Sequence, residues 1–383
     1  MSRDNRILTT HTGSLPRPAD LVASMSALER GEQADDAALT RQIDAAVSEI
    51  VDKQIAAGLD VVNDGEQSKP DYSTYIKNRL SGFSGEMERH PVSRDARDFP
   101  EFFSAANSHA ALRVSARPCC TGPIAWKDFE AVRADIARFK SAIARAGLSS
   151  GQTFMTAVSP GQAARFLGNR YYKSHEDYLV ALATALKDEY DAIAQAGFVL
   201  QVDCPDLASG WNNQFADATL AEFRDIVRLH LEVLDHATRD IVPEQLRLHL
   251  CWGNYAGPHN HDIPMRDIID LVLQSRASAI SFEGANPRHE HEWHVFREVK
   301  LPDGKSIIPG VIDSVSTFVE HRQVVADRIV RYANVVGRDN VMAGADCGFA
   351  TFAGNQGIHP TIVWAKMSAL AEGARLASKE LWG

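Results

Sequence analysis

No stretch of this 383-residue chain approaches the roughly 20 consecutive apolar residues that a membrane span requires. The opening MSRDNRILTT also lacks the apolar core of a secretion signal, so the expected location is the cytoplasm. Nor is there an excess of positive charge, since 40 Lys and Arg against 50 Asp and Glu give a formal net charge of −10. That balance offers no attraction to nucleic acid or to an anionic membrane, and neither is expected as a partner. Low-complexity tracts and linkers are missing too, and 45% hydrophobic with 23% charged residues is the composition of an ordinary folded protein. Cysteine is scarce. Cys119, Cys120, Cys204, Cys251 and Cys347 are odd in number and widely spread, which makes a poor disulfide framework and a better inventory of thiols or metal ligands.

What is present is a repeated grammar of helix followed by strand. Ile43, Val47, Ile50, Val51 and Ile55 recur at helical spacing, Gly58 stops the helix, and a strand is expected at Leu59–Asn63. Further on, Ser174 and Asp177 resemble a capping box, Leu179, Leu182, Leu186, Tyr190 and Ile193 form an apolar stripe, and Gly197 precedes the strand FVLQVD. Short β-branched or apolar runs also occur at RILTTH, RPCCTG, FMTAVS, LRLHLC, AISFE, IIPGVID and NVMAGAD, with helical patterns such as 218–237 and 320–336 between several of them. Strands alternating with helices in this number predict an α/β fold, a (β/α)₈ TIM barrel, with 1–383 as one domain. The count is nine candidate strands where a barrel needs eight, so one is expected outside the ring. The polar stretch from about Ser84 to Ala111 reads as an insertion over the barrel mouth.

In such barrels chemistry gathers at the carboxyl ends of the strands. Here those ends carry His11 to Ser14, Asn63 to Glu66, Asp203 and Cys204, His249 and Cys251, Glu283, Asp313, then Asp346 and Cys347. His249 and Cys251 flank Leu250 on an extended run, so both side chains face one way, about 6.6 Å apart along the strand. Alone, such a pair is ordinary core, because cysteine is among the most buried residues. Adding Glu283 and Cys347 at neighbouring strand ends makes a His, Cys, Cys, Glu set that suits tetrahedral Zn²⁺.

The strings HTGSLPRP, NDGE, LQVDCPDLA, HLCWGN, ISFEG, IPGVIDS and GADCGF fall in the order of the signature segments of the catalytic barrel of cobalamin-independent methionine synthase, which nearly the whole chain resembles. The resemblance implies that His249, Cys251, Glu283 and Cys347 are zinc ligands, Glu283 being the displaceable one. It implies that Ser14 binds the carboxylate of an amino-acid thiol, homocysteine, while Glu66 and Asp203 hold its ammonium. Metal coordination would convert the substrate thiol into a thiolate nucleophile, and the expected reaction is S-methylation.

Three departures from the family pattern leave the alkyl donor open between methylated folate, a corrinoid carrier and another electrophile. The amino-terminal barrel of the full-length folate enzymes has no counterpart here. Asp313-Ser314-Val315 stands where those enzymes place a histidine, and SPGQAARFLGNRYY lacks their pterin-facing tryptophan. Cys204 also replaces an acid common in the family. Single-barrel relatives include epoxyalkane:coenzyme M transferases, a demethylase is a further option, and a metal-free barrel shaped like uroporphyrinogen decarboxylase is the reading in which the cysteines merely pack. Asp313 and Asp346 are candidates for orienting His249 or the substrate. His259, His289, His291 and His294 lie in polar loops where solvation or pairing with neighbouring carboxylates is the default. Homo-oligomerisation is compatible with the sequence.

Overall fold

A computed structural model describes residues 5–32, 35–86, 91–104, 118–354 and 357–383. The two helix-to-strand units form for the local reasons their sequences suggest. In the helix Asp36–Ala56, the Asp35 carboxylate caps the first turn by accepting from the Ala38 N–H, and Ile43, Val47, Ile50 and Val51 are buried along one face. In the helix His175–Gln195, Ser174 Oγ accepts from the Asp177 N–H and the stripe from Leu179 to Ile193 is buried. Both helices stop at a left-handed glycine, Gly58 at φ 88° and Gly197 at φ 92°, a conformation that a side chain would strain.

Eight short strands are numbered in chain order: β1 (Phe83–Ser84), β2 (Cys119–Cys120), β3 (Phe154–Val158), β4 (Val199–Asp203), β5 (Leu246–Leu250), β6 (Ala279–Phe282), β7 (Ser306–Ile312) and β8 (Gly344–Ala345). β3 to β8 form a parallel sheet in sequence order. Its two edges are joined by the segments at Thr9 and Val62. Thr9 bridges Ala343 and Val62 bridges Thr153, both in parallel, while the Val61 N–H donates to the Thr9 carbonyl at 3.0 Å. The ring therefore closes with eight staves, a (β/α)₈ barrel. Every residue of β3 and β5 is buried, because helices cover the outside and side chains fill the inside.

The surplus candidate is RPCCTG. Cys119 and Cys120 pair antiparallel with Phe83 and Ser84 outside the ring, rather than ending a barrel strand, although both cysteines are buried. Of the stretch 84–111, residues 87–90 and 105–111 lie outside the described residues. A short helix within it, Arg94–Asp98, packs on the loops that follow β4 and β5. No described helix is long and apolar enough to cross a membrane.

Register then sets the interior layers. Val158, Asp203, His249 and Ser281 are aligned across β3 to β6, so their side chains share a face. One layer below lie Thr156, Gln201 and Arg247. The buried Arg247 guanidinium donates to Gln201 Oε1 at 2.7 Å, to Thr10 Oγ1 at 3.2 Å and to the His11 carbonyl at 2.9 Å, and it lies over the Phe154 ring. Burial pulls its pKa down to about 9.

Candidate metal centre

His249 sits on β5 and Cys251 just past its end, while Cys347 follows β8 across the ring. One ligand atom from each of the three lies within 4.8 Å of the others. The two sulfurs stand 3.6 Å apart. His249 is buried, and burial followed by the nearby Arg247 charge lowers its pKa to about 3, so the imidazole is neutral. Its Nδ1 lies 3.3 Å from Ser281 Oγ, and its Nε2 is a buried atom without a hydrogen-bond partner. A neutral imidazole with a bare nitrogen beside two thiols is the donor set of a soft or borderline divalent metal. The hydrogen bond between the cysteines, then burial, raises the Cys251 pKa well above that of an ordinary thiol, so both deprotonating together without a cation is disfavoured.

Glu283 stands beside this trio without joining it. Its Oε1 is 3.5 Å from Cys251 Sγ and accepts from the Trp252 N–H at 2.9 Å. Its Oε2 accepts from Asn286 at 2.8 Å and from Arg288 at 2.9 Å. Among the described residues Asp346 is not a hydrogen-bond partner of His249. Its carboxylate instead accepts from the backbone N–H groups of Gly284, Ala285 and Asn286, at 2.8 to 2.9 Å, and from the Asn286 amide. It thus ties the turn after Glu283 to the residue preceding Cys347. Asp313 accepts from the Val315 N–H at 2.9 Å and closes its own loop, with Ser314 Oγ donating to Asn254.

The three residues implicated in substrate binding lie at or past the ends of barrel staves, Ser14 after the Thr9 segment, Glu66 after the Val62 segment and Asp203 at the end of β4. Ser14 lies against the turn after Cys347, where a Cβ on Gly348 would meet its Oγ at 2.0 Å. Glu66 is buried and adopts the left-handed conformation, φ 56°, uncommon for a side chain of this size. Arg17 donates to its carbonyl at 2.8 Å and Thr156 Oγ1 to its Oε1 at 2.9 Å. Asp203 accepts from Gln201 Nε2 at 2.7 Å and from the Tyr72 hydroxyl. Burial, then the Glu66 charge, pushes the Asp203 pKa up to about 7.

Ser281 and Tyr72 are the partners that the linear reading misses. Ser281 had a signal, since it lies two residues before Glu283 and so shares its face. Tyr72 had none, being in a loop-to-helix transition 131 residues from Asp203. The polar-loop histidines are accounted for by carboxylates and rings. His259 Nδ1 is 2.9 Å from Asp262 and His289 Nε2 is 3.0 Å from the same carboxylate. His294 stacks on Trp293, and His291 is exposed.

Comparison with known proteins finds relatives of the chain. Residues 164–369 match the family model of the cobalamin-independent synthase catalytic domain. A 5-methyltetrahydropteroyltriglutamate–homocysteine methyltransferase of Nitratidesulfovibrio vulgaris is 28% identical over 90% of this chain, which spans 39% of that protein's length. A methionine synthase of Saccharolobus solfataricus is 22% identical, with 100% of this chain and 98% of that one aligned. A 2-hydroxypropyl-CoM lyase of Xanthobacter autotrophicus is 24% identical over 99% and 96% of the two chains. In fold, the chain is similar to a B12-independent methionine synthase from Shewanella, with a TM-score of 0.72, 19% identity and 98% of this chain covered.

Proposed function

Since the chain belongs to the cobalamin-independent synthase catalytic-domain family, we propose that it is a zinc-dependent thiol alkyltransferase that methylates homocysteine. The observation that carries this reading is the convergence of His249 Nε2, Cys251 and Cys347, with the histidine nitrogen bare. Bound among these residues, Zn²⁺ supplies the Lewis acidity that makes a substrate thiol nucleophilic at neutral pH.

The chain's own residues do the rest. Burial and Arg247 keep His249 neutral, and Ser281 orients its ring. Arg288, Asn286 and the Trp252 N–H hold the Glu283 carboxylate beside Cys251, where it would serve as the ligand that a substrate sulfur replaces. Glu66 and Asp203 suit a cationic amine and repel a second anion, while Ser14 offers a hydroxyl to the amino-acid carboxylate. All five cysteines are free, which fits work in the reducing cytoplasm.

The methyl group would come from a methylated pterin, the donor for which several relatives are named. The lyase of Xanthobacter favours a second reading, opening of an epoxide by a sulfonate thiol, because it too aligns along nearly its full length. The methionine synthase of Saccharolobus aligns equally fully, so length does not separate them, and the paired carboxylates favour the amine.

The test is X-ray absorption at the zinc edge on anaerobically purified protein, with homocysteine or coenzyme M added. Homocysteine should add a sulfur to the zinc shell at concentrations where coenzyme M does not. Stoichiometric zinc whose shell ignores homocysteine would end the methyltransferase reading. A chain that neither contains zinc nor accepts it would leave the cysteines as packing residues.

A further inference from the structure

Tyr72 opens the helix Tyr72–Arg79, whose first turn is fixed by Asp71. The Thr74 N–H donates to Asp71 Oδ1 at 3.0 Å and the Thr74 hydroxyl to Oδ2 at 2.8 Å. This cap aims the Tyr72 side chain at the barrel wall. Its ring lies nearly parallel to that of Phe166, with centroids 6.5 Å apart, and its hydroxyl donates to Asp203 Oδ2. The other oxygen, Oδ1, accepts from Gln201 Nε2 at 2.7 Å. Each carboxylate oxygen therefore holds one donor of the protein and retains one lone pair. Across from it, Glu66 Oε1 accepts from Thr156 Oγ1 at 2.9 Å.

All three donors are neutral. They fix where the carboxylates point, while the charges of the buried Lys69 and Arg247 act on Asp203 and that of Arg17 on Glu66, and a cationic group that accepts the geometry already set can add charge-assisted hydrogen bonds on the lone pairs left open. Burial, followed by the charges of Asp203 and Glu66 and the Asp203 hydrogen bond, with a smaller contribution from Cys347, pushes the pKa of the phenol well up, so it stays a neutral donor.

We propose that Tyr72 is a positioning residue which, through Asp203, sets the preference of this site for thiols that carry an α-ammonium group. This rests on the reading of the chain as an enzyme of amino-acid thiols. Without the hydroxyl, Asp203 loses one of its two anchors and a hydrogen bond that favours its charged form, and the ammonium has to order a freer carboxylate on binding.

The experiment is calorimetric titration of the full, zinc-loaded chain with homocysteine and with 4-mercaptobutanoate, which keeps the thiol, chain length and carboxylate and lacks the amine. Wild type should favour homocysteine. Tyr72→Phe, which keeps the ring against Phe166, should weaken homocysteine about tenfold and leave 4-mercaptobutanoate unchanged. In an Asp203→Asn background the same change should cost nothing further. Tyr72→Leu serves where the phenylalanine variant does not fold, with the same split expected, and melting temperature and zinc content are measured for each protein. Equal losses for both thiols, no loss for either, or an undiminished effect beside Asp203→Asn overturns the role of Tyr72 while leaving homocysteine as substrate. A wild type that binds the two thiols alike sinks the amino-acid reading, and Tyr72's role with it.

Discussion

Cys347 belongs to two arrangements at once. Its sulfur stands 3.6 Å from that of Cys251, while the preceding Asp346 side chain gathers the N–H groups of Gly284, Ala285 and Asn286. One residue pair thus sets both a ligand and the turn that carries Glu283. Cys347→Ser should abolish tight zinc retention, because a thiolate is replaced by a weak neutral ligand, and chelator competition would measure it. Asp346→Asn keeps every ligand and loosens only the turn, so zinc affinity should fall by about 10–100-fold. Equal losses for the two variants would show that Asp346 does more than orient. Strand alternation made the pairing of His249 with Cys251 legible in the sequence, and the same alternation sets Ser281 on the face of Glu283.

Among the elements, the short helix Arg94–Asp98 is the one whose placement depends on a single buried carboxylate. Ser93 caps it, Asp95 Oδ1 accepts from the His261 N–H at 2.9 Å, and Oδ2 accepts from Asn212 at 2.8 Å and from the Tyr255 hydroxyl. Arg94 adds a guanidinium 3.6 Å above the Trp211 ring. The helix is therefore stitched to the loops after β4 and β5, both at the end of the barrel that bears the thiols. Asp95→Ala strands three donors and should cost about 1–3 kcal/mol. Limited proteolysis should then cut near the helix before the barrel yields, and a cleavage pattern identical to wild type would refute this. The sequence announces such a segment only as a polar stretch with weak periodicity. Its docking depends on side chains more than a hundred residues away.

For the whole molecule, pH should act through the layer that joins neighbouring loops. His289 is buried against Trp252, and burial would lower its pKa, yet the hydrogen bond to Asp262 and the Glu292 carboxylate 3.6 Å from Nδ1 raise it to about 9. The folded chain holds this proton more tightly than the unfolded one, whose histidine titrates near 6.5. The contribution is complete below about 6.5 and is lost as pH climbs through about 9, a change on the order of 3 kcal/mol. Thermal melts of zinc-free protein should show the decline, and His289→Gln should flatten it.

Helical stripes, glycine stops and buried β-branched runs are local properties of the chain, so the sequence by itself determined that strands alternate with helices and that His249 and Cys251 share a face. Only the tertiary structure decided which nine-to-eight reduction holds, leaving Cys119 and Cys120 outside the ring. It alone brought Cys347 to Cys251 across 96 residues, Tyr72 to Asp203 across 131, and the Glu283 turn to Asp346 across about 60. Those meetings depend on ring closure and on how each loop bends back over the mouth, and neither is encoded in any single stretch of periodicity.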